Sequence, residues 1–115
     1  MIIFTVEGNP IPKQSYRAVK GGGYTDPRVK SWQNTVAWKA KEAMIGKDII
    51  TCNLFVEIYF YRSDKRRVDL DNLSKAVLDA CNNIIWEDDK QVIALKLYKM
   101  YDKKNPRIDM YVRGL

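Results

Sequence analysis

With 115 residues, 46% of them hydrophobic and 30% charged, the chain suits one domain over residues 1–115, which can bury about two thirds of its unfolded surface without a staple; this composition excludes a disordered chain. Lys and Arg outnumber Asp and Glu by 20 to 14, a net charge of +6, which attracts polyanions, nucleic acid first among them, or simply keeps the chain soluble. The sequence contains no histidine, which excludes histidine bases and His-ligated zinc; Cys52 and Cys81 lack metal-ligand spacing and read as buried reduced thiols, and no stretch is long enough to span a bilayer, so a cytosolic setting is expected.

Ile2, Phe4 and Val6 alternate with Ile3, Thr5 and Glu7, the pattern of a strand with one strongly apolar face. Gly8-Asn9-Pro10-Ile11-Pro12 ends it, because proline has no ladder donor and glycine permits a turn. Residues 13–20 are basic and polar and run into Gly21-Gly22-Gly23. They read as an exposed arm or hairpin that can lie along a phosphate backbone through Lys13, Arg17 and Lys20, or as a solvated loop.

Val29, Trp32, Val36, Ala40 and Ala43 recur at three and four residues, which predicts an amphipathic helix over 27–45. Thr25 or Asp26 can cap it, Pro27 suits its first turn and Gly46 ends it. Trp32 and Trp38 read as packing residues rather than as a base-stacking pair. Residues 51–61 form the clearest strand, with Cys52, Leu54, Val56, Ile58 and Phe60 on one face. The opposite face carries Phe55, Tyr59 and Tyr61, open to packing on another element, on a second subunit or on an unstacked base. Lys65, Arg66 and Arg67 follow in a basic connection.

Leu73, Ala76, Val77 and Ala80 mark a second helix, about 72–83, starting at Asp71 or Asn72 and ended by Asn82-Asn83. Two strands close the chain, 91–101 and 107–113, with a turn over 102–106. The order β-α-β-α-β-β predicts an α+β domain with helices packed on one face of a mixed sheet.

The chemistry concentrates in two acidic pairs. If Asp69 ends an extended segment, Asp71 projects to the same side, and Asp88-Asp89 can bring a third carboxylate from the turn before the next strand. Hard oxygen donors of this kind suit Mg²⁺, or Mn²⁺ in its place, and a metal so held serves phosphodiester hydrolysis. Asp69, Asp71 and Asp89 are the first choice of ligands, with Asp88 in reserve. Lys75, one helical turn beyond Asp71, can stabilise charge on a scissile phosphate, and Arg66 and Arg67 can clamp the backbone beside it. Read separately, the same residues could be a helix cap, a helical ion pair and a solvated turn.

Asp69-Leu70-Asp71-Asn72-Leu73, Lys75-Ala76 and Asp79-Ala80, followed by Trp86, Asp88, Asp89 and Gln91, resemble in order and spacing the signature of the RusA family of Holliday junction resolvases. Gly8-Asn9-Pro10-Ile11-Pro12-Lys13 resembles the family's opening. The resemblance implies a homodimeric endodeoxyribonuclease acting on four-way DNA junctions by paired nicks, dependent on Mg²⁺ and on no small-molecule cofactor, with Asp69, Asp71 and Asp89 catalytic. A junction-binding protein without catalysis, or a nuclease of other branched nucleic acids, are the alternatives.

Overall fold

The strand at the centre of the sheet is the one whose alternation is plainest in the sequence. In the computed structural model, which describes residues 1–13 and 26–115 and the backbone alone of 18–19 and 22–23, strand β4 runs over Leu54–Arg62 with every second residue buried. The other elements are β1 (Ile2–Glu7), a short pair β2 (Ala18–Val19) and β3 (Gly22–Gly23), helix α1 (Pro27–Ala43), helix α2 (Leu70–Cys81), a 3₁₀ turn over Asp89–Gln91, β5 (Val92–Tyr101) and β6 (Arg107–Gly114). The expected α+β domain and its order β-α-β-α-β-β are those observed, with β2 and β3 added as an antiparallel pair in the predicted arm.

The main sheet has the order β1-β6-β4-β5. β4 and β5 are parallel, joined through α2, while β6 runs antiparallel to both of its neighbours, β1 and β4. The predicted turn over 102–106 therefore does not join paired strands: it carries the chain past the end of β4. Asp102 N donates to Arg62 O at 2.8 Å, tying this crossing to the strand it passes.

Val56, Ile58 and Phe60 of β4 and Ile108, Met110 and Val112 of β6 are fully buried against Val36 and Ala40 of α1 and Leu73, Ala76 and Val77 of α2. Each such large side chain contributes roughly 1.5–3 kcal/mol by leaving water. Asp26 caps α1, its Oδ1 accepting from Arg28 N at 2.8 Å; the alternative cap, Thr25, lies outside the described residues.

Two expectations of burial fail. Trp38 is 71% exposed, because two residues beyond Val36 a helix has turned about 200° away from the buried stripe. Cys52 is exposed while Cys81 is buried, and both are free thiols. The strand begins at Leu54, and the β4–β5 register shifts between Leu54 and Phe55, so alternation does not extend back to Cys52.

The face of β4 away from the helices holds no covering element among the described residues. Its aromatics meet one another: Tyr59 stacks on Tyr98 with ring centres 4.8 Å apart and meets Tyr111 edge-on at 5.8 Å. The Tyr59 hydroxyl donates to Glu57 at 2.6 Å, and that bond pushes its pKa up to about 12.

The opening Gly8-Asn9-Pro10 segment is tied across the sheet. Gly8 adopts φ +123, and a side chain there would also meet the Trp32 ring. Arg62 Nη1 donates to Pro10 O at 2.6 Å, Ser63 N to Asn9 Oδ1 at 2.9 Å, and Lys13 N to Asn72 O at 2.9 Å. This path delivers Lys13 to the side of α2.

Candidate active site

Helix α2 starts earlier than its apolar repeat suggests. Asp69 is its cap, with Oδ1 accepting from Asp71 N at 2.8 Å, in place of the expected Asp71 or Asn72. Asp71 therefore sits in the first helical turn, and its two-residue spacing from Asp69 is that of a cap and a helix rather than of an extended strand. Negative charge in this turn is favoured by the helix dipole. Asp71 Oδ2 lies 3.1 Å from Lys75 Nζ, with side chains 68% and 59% exposed, so the pair adds little to stability and is free to exchange for a ligand.

The second acidic pair is held by side chains instead of a helix. Trp86 is fully buried and its Nε1 donates to Asn82 Oδ1 at 2.8 Å, while Asn83, at φ 64, donates its N–H to Trp86 O at 2.7 Å. Gln91 satisfies both ends of its amide: Oε1 accepts from Glu87 N at 2.9 Å and Asp88 N at 3.0 Å, and Nε2 donates to Ile50 O and Cys52 O at 2.9 Å each. Asp88 caps the 3₁₀ turn, accepting from Lys90 N at 2.9 Å. Asp89 is left to border a cleft.

That cleft, about 450 Å³, lies between α2 and the start of β5 and is lined by Lys13, Lys75, Asp79, Asp89, Leu78 and apolar residues 92–95. Lys13 is not a free backbone clamp: its Nζ is 3.1 Å from Asp79 Oδ2, which also accepts from Gln33 Nε2 at 3.3 Å. The structure thus gathers Lys75 and Asp89 in one cleft and links Asp71 to it through Lys75, while Asp69 stays at the helix cap. Among the described residues no group of three or more His, Cys, Asp or Glu side chains is close enough to hold a metal ion. The donor set itself, carboxylate oxygens without nitrogen or sulfur, fits a hard dication.

The family model described as Endodeoxyribonuclease RusA matches residues 7–113. The chain belongs to the RusA family. It is 31% identical to the crossover junction endodeoxyribonuclease RusA of Escherichia coli K12 over 94% of this chain and 90% of that protein, and 30% identical to the same-named protein of Enterobacteria phage 82 over the same shares. It is also 29% identical to the YqaN protein of Bacillus subtilis strain 168 over 97% of this chain and 95% of that protein. The RusA signature acquires physical content here: Trp86 and Gln91 are clamps for the loop, and Asp79 anchors Lys13.

A second cleft in this RusA chain opens where the parallel strands β4 and β5 end. It measures about 190 Å³ and is lined by Arg62, Asp64, Lys65, Arg66, Arg67, Lys99, Met100 and Tyr101. Lys65, Arg66 and Arg67 are exposed there. Asp64 is occupied by Arg66 N at 3.0 Å, and that bond first, then Arg62, holds its carboxyl below the usual range. Lys99 Nζ donates to Val68 O at 2.6 Å, next to the cap Asp69. Arg17 and Lys20, also expected on DNA, lie outside the described residues. Lys99 and Tyr101 escape sequence reasoning because they read only as strand residues; the basic connection that begins at Arg62 is the available signal.

Proposed function

We propose that this chain is a Mg²⁺-dependent, structure-selective endodeoxyribonuclease that resolves four-way DNA junctions. The observation that carries the reading is the position of Lys75, which pairs with Asp71 at 3.1 Å and lines the same cleft as Asp89, so both acidic pairs flank one locality. Asp69, Asp71 and Asp89 would hold the dication, with Mn²⁺ able to replace it, and Asp88 serves as cap and reserve ligand. The bound metal would supply an ionised water and neutralise non-bridging phosphate oxygens. Lys75 then has two partners in turn: Asp71 before substrate arrives, and the scissile phosphate after, where its charge favours the transition state. Arg66 and Arg67, with Lys65, hold the backbone against the repulsion of the carboxylates. Arg17 and Lys20 extend this contact, and Lys13 joins it on leaving Asp79.

A homodimer suits a two-fold substrate, because an isologous pair sets two identical sites about one axis and so yields paired nicks. The phage relative supports a phage or prophage setting, and no described helix is long and apolar enough to cross a membrane. The rival reading, a junction-binding protein that does not cut, draws on the lack of a three-acid group among the described residues. Synthetic four-way junctions separate the two. The nuclease gives paired nicks with Mg²⁺ and none with EDTA, and Asp71→Asn binds the junction in a gel shift without cutting it. Wild-type protein that shifts the junction and never nicks it, in Mg²⁺ or Mn²⁺, establishes the rival.

A further inference from the structure

The cleft at the ends of β4 and β5 contains an aromatic ring that no reading of the active site uses. Tyr101 is 48% exposed, and no described ring packs on it, whereas the equally exposed Tyr98 is stacked on Tyr59. Alternation along β5 places Tyr101 on the same side as Lys99, whose amine touches Val68 O beside the cap Asp69. The ring is therefore on the face of the sheet that carries the acidic helix start, not on the tyrosine-lined face opposite.

Its surroundings are cationic. Lys65 Nζ sits 5.1 Å from the ring centroid, and Arg62, Arg66, Arg67 and Lys99 share the cleft with one acid, Asp64. Asp64 is already bound to the Arg66 N–H and to Arg62, and as one carboxylate among these cations it offsets only part of their charge, so the cleft stays net cationic. Arg62 is itself buried, with Nη1 held by Pro10 O, so the floor is fixed. At about 190 Å³ the space falls below the ~300 Å³ typical of whole small-molecule sites. An exposed cation–π contact is weak, and Lys65 can leave the ring for a phosphate.

We infer that Tyr101 is a stacking seat for one unpaired nucleotide of the DNA, with the base on the ring and the flanking phosphates on Lys65, Arg66 and Arg67. Base-on-aromatic stacking with cationic tracking of the backbone is the general way proteins hold unstacked strands. The seat would favour DNA whose strands part near the scissile phosphate over continuous duplex. This deepens the proposed function and rests on its DNA-binding half alone.

The test is binding in EDTA, where cutting plays no part. Fluorescence anisotropy is read for wild type, Tyr101→Leu, Tyr101→Phe and Tyr101→Trp with a labelled single-stranded oligonucleotide, a four-way junction and a continuous duplex. Leu at 101 should weaken single-strand and junction binding about tenfold and duplex binding less than twofold, while Phe and Trp retain wild-type values. A 2-aminopurine in the single strand should be quenched on binding by wild type, Phe and Trp variants and not by the Leu variant. Equal losses on all three DNAs, or loss in the Phe variant as well, would show a hydroxyl or a general surface contact and overturn the stacking seat. If Tyr101→Leu does not fold by circular dichroism, the Phe and Trp variants and the wild-type quenching still decide. Wild type that shows the full binding pattern but cuts nothing in Mg²⁺ removes the nuclease reading and leaves the seat intact.

Discussion

Asp69 with Asp71 and Asp88 with Asp89 are built by one local device and positioned by two different means. In each pair the first acid accepts a hydrogen bond from the backbone N–H two residues on, Asp69 from Asp71 at 2.8 Å and Asp88 from Lys90 at 2.9 Å, and the second acid lies in the first turn that follows. What differs is the support. Asp71 projects from a 12-residue helix whose buried side holds it in register, whereas the 3-residue turn bearing Asp89 depends on Gln91 and Trp86. Long regular structure and a few saturated side-chain clamps thus do the same positioning, and the clamps are the more vulnerable of the two.

Asparagine caps helices about as well as aspartate, so Asp→Asn substitutions separate capping from charge in both pairs. Asp69→Asn and Asp89→Asn should each cut a junction on the order of 10²–10³-fold more slowly, the scale of losing one preorganised charge in a site, with thermal midpoints unchanged. Asp88→Asn should cut at close to the wild-type rate. Quenched-flow cleavage at saturating Mg²⁺ measures all three; a slow Asp88→Asn beside a normal Asp89→Asn would mean the turn presents the other acid.

The clamps are tested by stability. Gln91→Ala leaves four backbone groups, Glu87 N, Asp88 N, Ile50 O and Cys52 O, without their partner. These lie near the surface and recover water in part, so the cost should be about 1–3 kcal/mol in urea unfolding. The loop should loosen more than α2 does, with faster amide exchange at residues 87–91 than at 73–80.

Most of this organisation is legible in the sequence, and the failures have identifiable causes. Apolar alternation over Leu54–Phe60 and the three-four repeat of Val29, Trp32, Val36 and Ala40 lead directly to observed elements, because burial acts through the same periods. The apolar repeat places the start of α2 at Asp71 or Asn72, and Asp69 caps it instead, because all three residues are good caps and local preference does not rank them. Lys13 with Asp79 spans 66 residues, beyond any local rule, and the insertion of β4 between β5 and β6 depends on chain-wide topology. Extended geometry at Asp69 predicts convergence of the acids on one point. A helical start turns Asp71 toward Lys75 instead.

Asp64 is the control for the comparison, since its Oδ1 also accepts from the backbone N–H two residues on, Arg66 at 3.0 Å, but no helix and no second acid follow. That bond, aided by Arg62, lowers its pKa from the ordinary 3.8. A carboxyl depressed in the folded state stabilises the fold above its unfolded value and loses that contribution as pH falls through the folded one. Asp64→Asn keeps an acceptor and discards the charge, so its thermal midpoint should fall slightly below wild type at pH 6, and the gap should close as pH drops below about 3.8. The same change removes the one acid lining the basic cleft, so junction affinity should rise while stability falls, most visibly at low salt. Opposite signs in the two measurements would mark the device as serving loop geometry alone; a fall in both would mean that the ordered Arg66–Arg67 backbone is itself what DNA recognises.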